Sequence, residues 1–258
     1  MVRNLLVRGM LAGLFAAALA LVLAWAYGEP QVATAISLED HAGHASHAAE
    51  HLAGAAAGHG HEHESEPVSR GVQSTLGLAT AIGVYGVAIG GVFAIVFAFA
   101  YGRLGAFGAR ATSALLALGA FVTVQLVPFL KYPANPPAVG DPSTIGRRTG
   151  LYLAILLISV LLAVVALLLG RRLAPRHGDW NASVLAGAAF LAAVVVVFLL
   201  MPSVDEVPPD FPAALLWRFR VASLGTQAVL WGTLGLVFGP LAERALNPDR
   251  TPSPIPAA

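Results

Sequence analysis

The sequence contains no cysteine and few charged residues: Asp, Glu, Lys and Arg together make up 11% of its 258 positions. The lack of cysteine excludes disulfides, thiolate metal ligands and thiol catalysis, so any bound metal needs imidazole, carboxylate, amide or backbone ligands. Because an ordinary soluble domain is about a quarter charged, the scarcity of charge excludes a soluble globule. A net charge of +1 gives no indication of nucleic-acid binding.

Sequence motifs of the common catalytic sites are also missing. The chain has no nucleotide-binding loop, no zinc-protease helix motif and no pair of aspartates inside an apolar run. We therefore predict that the protein is not an enzyme and uses no nucleotide.

Long apolar runs are abundant instead, since 57% of the residues are hydrophobic. Each run is close to the roughly 20 residues that a helix needs to cross a bilayer. The sequence predicts an all-α integral membrane protein, a single membrane domain over residues 1–258 with about six transmembrane helices. The predicted spans are residues 5–27, 74–101, 111–130, 150–169, 181–200 and 217–238. Gly83, Gly86, Gly90 and Gly91 in the second span favour close helix packing over a role in a pathway.

Basic residues indicate the orientation of these spans, because cytoplasmic loops are enriched in Lys and Arg. Placing both termini in the cytoplasm puts nine of the fifteen basic residues on that side. Fourteen of those fifteen residues are Arg, and with the abundance of Ala and Gly this bias is typical of a GC-rich bacterial sequence. Multi-pass insertion in a bacterial cytoplasmic membrane is therefore the expected localisation. A cleavable signal peptide is the alternative for residues 1–27, but the apolar run is longer than a usual signal core and favours an uncleaved helix.

Seven of the eight histidines lie in one polar stretch, the histidine-rich segment (residues 28–73). The first four are spaced by three, three and four residues, which places them on one face of a helix. The last three alternate, which places them on one side of an extended chain. Both patterns bring several imidazole nitrogens to one point, which is what binding of a divalent transition metal requires. The predicted ligands are His41, His44, His47, His51, His59, His61 and His63, with Glu29 and Asp40 beside them.

The same segment is acidic, with seven carboxylates against Arg70. This net charge of −6 would concentrate cations before any ligand binds. We expect Pro30 to end the first helix and to leave Glu29 at its mouth. The segment is predicted to be partly disordered or helical, and a linker whose histidines do nothing specific is the alternative.

Polar residues within or beside the spans are the other candidates, because they are costly in a membrane. Gln125 and Gln227 lie inside predicted spans, where an amide can coordinate a cation or form an interhelical hydrogen bond. Two proline-rich outer connections, residues 131–149 and 201–216, and the start of the span that follows the second one are predicted to form an acidic vestibule gated by arginines. Its members are Asp141, Asp205, Glu206, Asp210, Arg147, Arg148, Arg218 and Arg220. Snorkelling arginines and ordinary stiff loops are the alternative. Residues 239–258 are predicted to be a flexible tail.

Several strings in the sequence together resemble one family. They are Gly28-Glu29-Pro30, Pro128-Phe129-Leu130-Lys131-Tyr132-Pro133-Ala134-Asn135-Pro136-Pro137, Thr144-Ile145-Gly146-Arg147-Arg148-Thr149 and Trp217-Arg218-Phe219-Arg220. With the histidine-rich first loop, they resemble the CbtA family of predicted cobalt transporter subunits over essentially the whole chain. The resemblance implies cobalt uptake for cobalamin synthesis, with a small single-span partner, CbtB, that has its own histidines.

These observations predict uptake of cobalt, with nickel next, by a permease or permease subunit whose outer loop captures the metal. The alternative is a membrane-anchored metal buffer or sensor without a conduction pathway. A homo-oligomer is left open, and no nucleic-acid partner is expected.

Overall fold

The computed structural model describes residues 2–39, 41, 70–137 and 139–247. All regular elements within these ranges are helical. Five helices are long and apolar enough to cross a membrane, which confirms the predicted all-α membrane fold. They are α1 (Val2–Glu39), α2 (Gln73–Ala100), α3 (Ala109–Lys131), α4 (Ile145–Leu200, after a 3₁₀ turn at Pro142–Thr144) and α5 (Ala213–Leu246).

Helix α4 folds back on itself at Gly178. This residue has φ 77° and ψ 159°, which is not a helical conformation. Glycine adopts such a positive φ much more readily than other residues. Along a straight helix the 16 residue steps from Gly170 to Ala186 would rise about 24 Å. A Cβ placed on Gly170 would instead lie 3.3 Å from the Ala186 Cβ. Helix α4 is therefore a hairpin whose arms, residues 145–177 and 179–200, contain the two predicted spans 150–169 and 181–200, and the five helices provide six membrane-crossing segments.

Helix α1 does not end at Pro30, contrary to the prediction. A π-helical turn at Ala24–Gly28 precedes the proline, and the Glu29 N–H donates to the Ala24 carbonyl five residues back. The wider turn relieves the clash that a proline ring makes with an α-helical carbonyl. The helix then continues to Glu39, with Ala35 fully buried and the Thr34 hydroxyl donating to the Pro30 carbonyl at 2.8 Å. Glu29 thus lies within a helix rather than at its mouth.

Helix α5 also extends beyond its predicted end, into the expected tail. Although Pro240 lies inside it, the helix continues through residues 239–246 because Phe238 and Ala242 are fully buried. Phe238 makes edge-to-face contacts with Phe93 and Phe97, at centroid distances of 5.4 and 5.0 Å. Packing of this kind offsets the roughly 3 kcal/mol that a proline costs inside a helix. Residues 248–258 of the predicted tail lie outside the described part of the chain.

The described residues form two compact units. Unit 1 comprises residues 2–22, 80–126 and 226–247, and its apolar core joins α1, α2, α3 and α5. The core is built from aromatic side chains of α2 and α5 and alanines of α1 and α3. Ser113 adds a buried hydrogen bond from its hydroxyl to the Gly235 carbonyl at 2.7 Å.

Glycines bring α1 and α2 into backbone contact within unit 1. A Cβ on Gly90 would lie 2.2 Å from the Gly9 carbonyl oxygen, and one on Gly13 would lie 2.1 Å from that of Gly86. Such spacing has no room for any side chain, as in other small-residue helix interfaces. Of the four glycines predicted to pack, Gly86 and Gly90 form this contact. A Cβ added to Gly91 would lie 3.6 Å from side-chain atoms of α1, whereas one added to Gly83 would meet no atom within 4 Å.

Unit 2 comprises residues 23–79 and 127–225, as far as these are described. It contains the α4 hairpin, the end of α3 and the start of α5. Both proline-rich connections lie in this unit, and their polar residues are described next.

Candidate functional site

The predicted metal ligands lie mostly outside the described residues. This applies to His44, His47, His51, His59, His61, His63 and Asp40. His41 has helical backbone and an exposed side chain just beyond the end of α1, and Glu29 is half-buried. Within the described ranges, no group of three or more His, Asp or Glu side chains could hold a metal ion. Metal binding by this segment therefore stays a prediction.

Lys131 and Tyr132 tie the end of α3 to the end of α4. The Lys131 ammonium donates to the Phe198 carbonyl at 2.7 Å and to the Met201 carbonyl at 2.8 Å. These carbonyls lie at a helix C-terminus, where acceptors lack helical partners and a cation is favoured. The Tyr132 hydroxyl donates to the Pro202 carbonyl at 2.8 Å. The lysine-tyrosine pair therefore holds two membrane-crossing segments together at one end.

A second set of contacts joins the two proline-rich connections. Arg148 Nε lies 3.4 Å from Glu206 Oε2, and its Nη2 donates to the Asp141 carbonyl at 3.1 Å. The Asp141 N–H donates to the same Glu206 oxygen at 3.0 Å. Gly140 has φ 112°, and a Cβ there would clash with the Arg148 guanidinium. Lys131, Tyr132, Asp141, Arg148 and Glu206 are together called the loop network.

Both carboxylates of the loop network are held ionised. Hydrogen bonds from the Ser143 side chain and N–H, with Arg148 nearby, lower the pKa of Asp141. Hydrogen bonds from the Thr144 side chain and the Asp141 N–H, again with Arg148, lower the pKa of Glu206. For Tyr132, burial raises the pKa and the charge of Arg147 opposes this, so the hydroxyl remains a donor. Acceptors and donors thus keep the charge states that the network needs near neutral pH.

Arg220, near the start of α5, joins the first connection. Its Nη2 donates to Asn135 Oδ1 at 2.8 Å, and its Nε lies 3.3 Å from the Ala134 carbonyl. Sequence reasoning missed Asn135 as a partner, although it lies in the proline-rich string that carries the family resemblance. Arg220 is thereby engaged by the loop rather than left to line an open vestibule.

The other predicted members of the vestibule stand apart from these contacts. The side chains of these four residues are exposed, and the structure shows no side-chain hydrogen bond or ion pair between them and another described residue: Asp205, Asp210, Arg147 and Arg218. The predicted vestibule is therefore only partly assembled: Asp141, Arg148 and Glu206 come together, and Arg220 binds separately.

Gln125 and Gln227, the two polar candidates inside predicted spans, have contrasting surroundings. Gln125 lies in a π-helical segment, Phe121–Leu126, and is half-buried. The Gln227 Oε1 is buried and has no hydrogen-bond partner among the described residues. One turn further along α5, the buried Trp231 Nε1 is likewise unpartnered within that part of the chain. Buried polar atoms without partners are rare, so Gln227 and Trp231 are candidates for contact with water or cargo. The four-residue spacing of Gln227 and Trp231 was a signal for this pair that sequence reasoning did not use.

Comparison with known proteins places the chain. The family model described as "Probable cobalt transporter subunit (CbtA)" matches residues 2–243. The chain belongs to the CbtA family. No curated protein and no solved structure gives a significant match. Membership in the CbtA family, together with the apolar helices, supports a multi-pass membrane protein of the class described as probable cobalt transporter subunits. The word "subunit" in that description suggests a partner.

Proposed function

We propose that this CbtA protein is the membrane-spanning part of a cobalt uptake system in the bacterial cytoplasmic membrane, with nickel as the next candidate cargo. The family match across residues 2–243 carries the proposal. The apolar helices, with the α4 hairpin contributing two segments, supply the membrane-spanning part that such a role requires.

In this proposal the histidine-rich segment captures the metal at the outer face. Its seven imidazoles and its net charge of −6 provide both ligands and electrostatic attraction. His41 is exposed directly after α1, so the ligand-bearing chain starts from the end of a membrane helix. Because protonated imidazoles cannot coordinate and free imidazole has a pKa of about 6.5, capture should weaken below about pH 6.

At depth, the Gln227 amide oxygen is the best-supported ligand for a passing cation. It is a buried acceptor with no hydrogen-bond partner in the described chain. Gln125 is the second candidate, since π-helical segments often occur at functional sites. Inward movement of a divalent cation gains about 4.6 kcal/mol per 100 mV of membrane potential, so no nucleotide is required.

Partners complete the proposed system. A small CbtB-like protein with one span and its own histidines is the expected companion, and self-association of the chain is compatible with the same role. The test therefore has to be made with and without the companion.

The experiment is uptake of radiolabelled cobalt, with nickel in parallel, in cells that lack other uptake systems. Expression should raise cobalt accumulation. Replacing the seven histidines from His41 to His63 by alanine should raise the half-saturating metal concentration and leave the maximal rate nearly unchanged. The matched control is His177→Ala, which removes the eighth histidine outside the segment and should change neither value.

A buffer or sensor gives a different result. In that case expression does not raise uptake, with or without the companion. Removal of the seven histidines then abolishes every response of the protein to metal. Unchanged uptake of both metals would overturn the permease proposal.

A further inference from the structure

The turn of the α4 hairpin carries a cluster of cations. Arg171, Arg172 and Arg176 lie on the last turns of the first arm, and all three are exposed. The structure shows no ion pair between any of them and another described residue. Asp179 is the one acidic residue between positions 170 and 180, which leaves the turn with a net charge of +2.

Exposed apolar side chains flank the arginine cluster in the sequence on both sides. Immediately before it, Leu167 and Leu168 are exposed, and shortly after it Val184 and Leu185 are exposed as well. Such side chains face hydrocarbon in a membrane-spanning hairpin. The basic turn between them therefore lies within a few residues of the hydrocarbon boundary, at the depth of the lipid headgroups.

Trp180 strengthens this placement. Its side chain is 80% exposed and directly follows the turn. Exposed tryptophan is enriched at the membrane interface, where an apolar ring and a polar N–H are both accommodated. If the turn lay in bulk water, there would be no reason for an exposed indole ring beside the charged residues.

We propose that the hairpin turn, residues 170–180, binds the headgroups of anionic phospholipids. Charge complementarity selects an anion, and guanidinium groups bind phosphate with paired hydrogen bonds. The adjacent Trp180 and apolar arms select a phosphate that belongs to a lipid over one that is free in water. Juxtamembrane basic clusters bind anionic membrane surfaces in this way. The proposal rests on the membrane fold alone and does not depend on the cargo.

Lipid binding by the purified full-length chain tests the proposal, with phosphatidylglycerol compared with phosphatidylcholine by native mass spectrometry in detergent. The wild-type chain should retain phosphatidylglycerol preferentially. Changing Arg171, Arg172 and Arg176 to glutamine should weaken that binding by about fivefold or more. The matched control changes Arg3, Arg103 and Arg244, three exposed arginines elsewhere, and should keep the preference.

A second variant keeps the test valid if the triple variant does not fold. Asp179→Asn removes the one acid of the turn and should tighten phosphatidylglycerol binding. Equal binding of both lipids by the wild-type chain overturns the proposal, as does an unchanged triple variant or an unchanged Asp179→Asn variant. If inorganic phosphate at equal concentration displaces the lipid, the turn is a site for free anions and the proposal fails.

Discussion

Single side chains hold the connections of this protein in place. Lys131 contributes two charge-assisted hydrogen bonds to the last carbonyls of α4, and Arg148 binds both Glu206 and the Asp141 backbone. The residues that give the sequence its most recognisable strings are therefore, in this structure, the residues that join helix ends. Their role in the structure is to hold the helix ends and the two proline-rich connections in fixed positions.

Replacing Lys131 by methionine should destabilise the protein by about 1.5–3 kcal/mol, because two carbonyl groups lose a charged donor. Tyr132→Phe is the comparison, since it removes one neutral hydrogen bond and should cost about 0.5–1.5 kcal/mol. Thermal unfolding in detergent measures both. Equal or absent losses would show that the lysine does not cap α4.

The loop network should also respond to acid. Because the pKa of Glu206 in the folded chain lies below its ordinary value of 4.5, its stabilising contribution is complete above that value and is lost as pH falls through the lowered pKa. Glu206→Gln should therefore unfold at a lower temperature than wild type at pH 7, with the difference shrinking below pH 4.5. Asp210→Asn, at an exposed position of the same connection, should show no such difference. If the difference in unfolding temperature between wild type and Glu206→Gln does not change with pH, ionised Glu206 does not stabilise the loop network.

At the scale of elements, the helices differ in how they meet their neighbours. Helices α1 and α2 approach through glycine, with Gly9 and Gly13 facing Gly86 and Gly90, whereas α2 and α5 meet through aromatic rings. A glycine contact tolerates no added atom, while an aromatic contact tolerates exchange between similar rings. The first helix pair is therefore the more sensitive to substitution.

Gly90→Ala should cost about 1–3 kcal/mol, because its Cβ would overlap the Gly9 carbonyl and the backbones would have to separate. Gly83→Ala lies on the same helix with open space around it, and should be neutral or stabilising by up to about 1 kcal/mol. Unfolding temperature and yield of folded protein after detergent extraction distinguish the two. Similar behaviour of both variants would refute the close approach.

The elements show what sequence could and could not predict. Apolar runs near 20 residues long located the crossing segments, and small-residue spacing correctly predicted packing for Gly86 and Gly90. Pro30 misled the prediction, because a π-helical turn that accommodates a proline leaves no clear sequence signal. The pairing of Arg148 with Glu206 joins residues 58 positions apart, and such pairing depends on how the helices pack. The sequence marked both residues as candidates without showing that they bind each other.

At the scale of the whole molecule, the six crossings imply that both termini lie on the same side of the membrane. Because the chain has no cysteine, single cysteines can be introduced without removing others. Ser37→Cys and Ser203→Cys should react with an impermeant thiol reagent in intact cells, whereas Asp179→Cys and Asn247→Cys should react after the cells are opened. All four positions are exposed. Labelling of Asp179→Cys in intact cells would refute the predicted orientation.

The α4 hairpin has a consequence for how the protein is made. Its arms are in contact across Gly170 and Ala186, and only the sharp bend at Gly178 separates them. Such a pair can leave the insertion machinery as one unit. The second arm then follows the first directly, and no state with only the first arm inserted has to be stable. Loss of either arm would invert everything synthesised afterwards, so that α5 would enter the membrane with the opposite polarity.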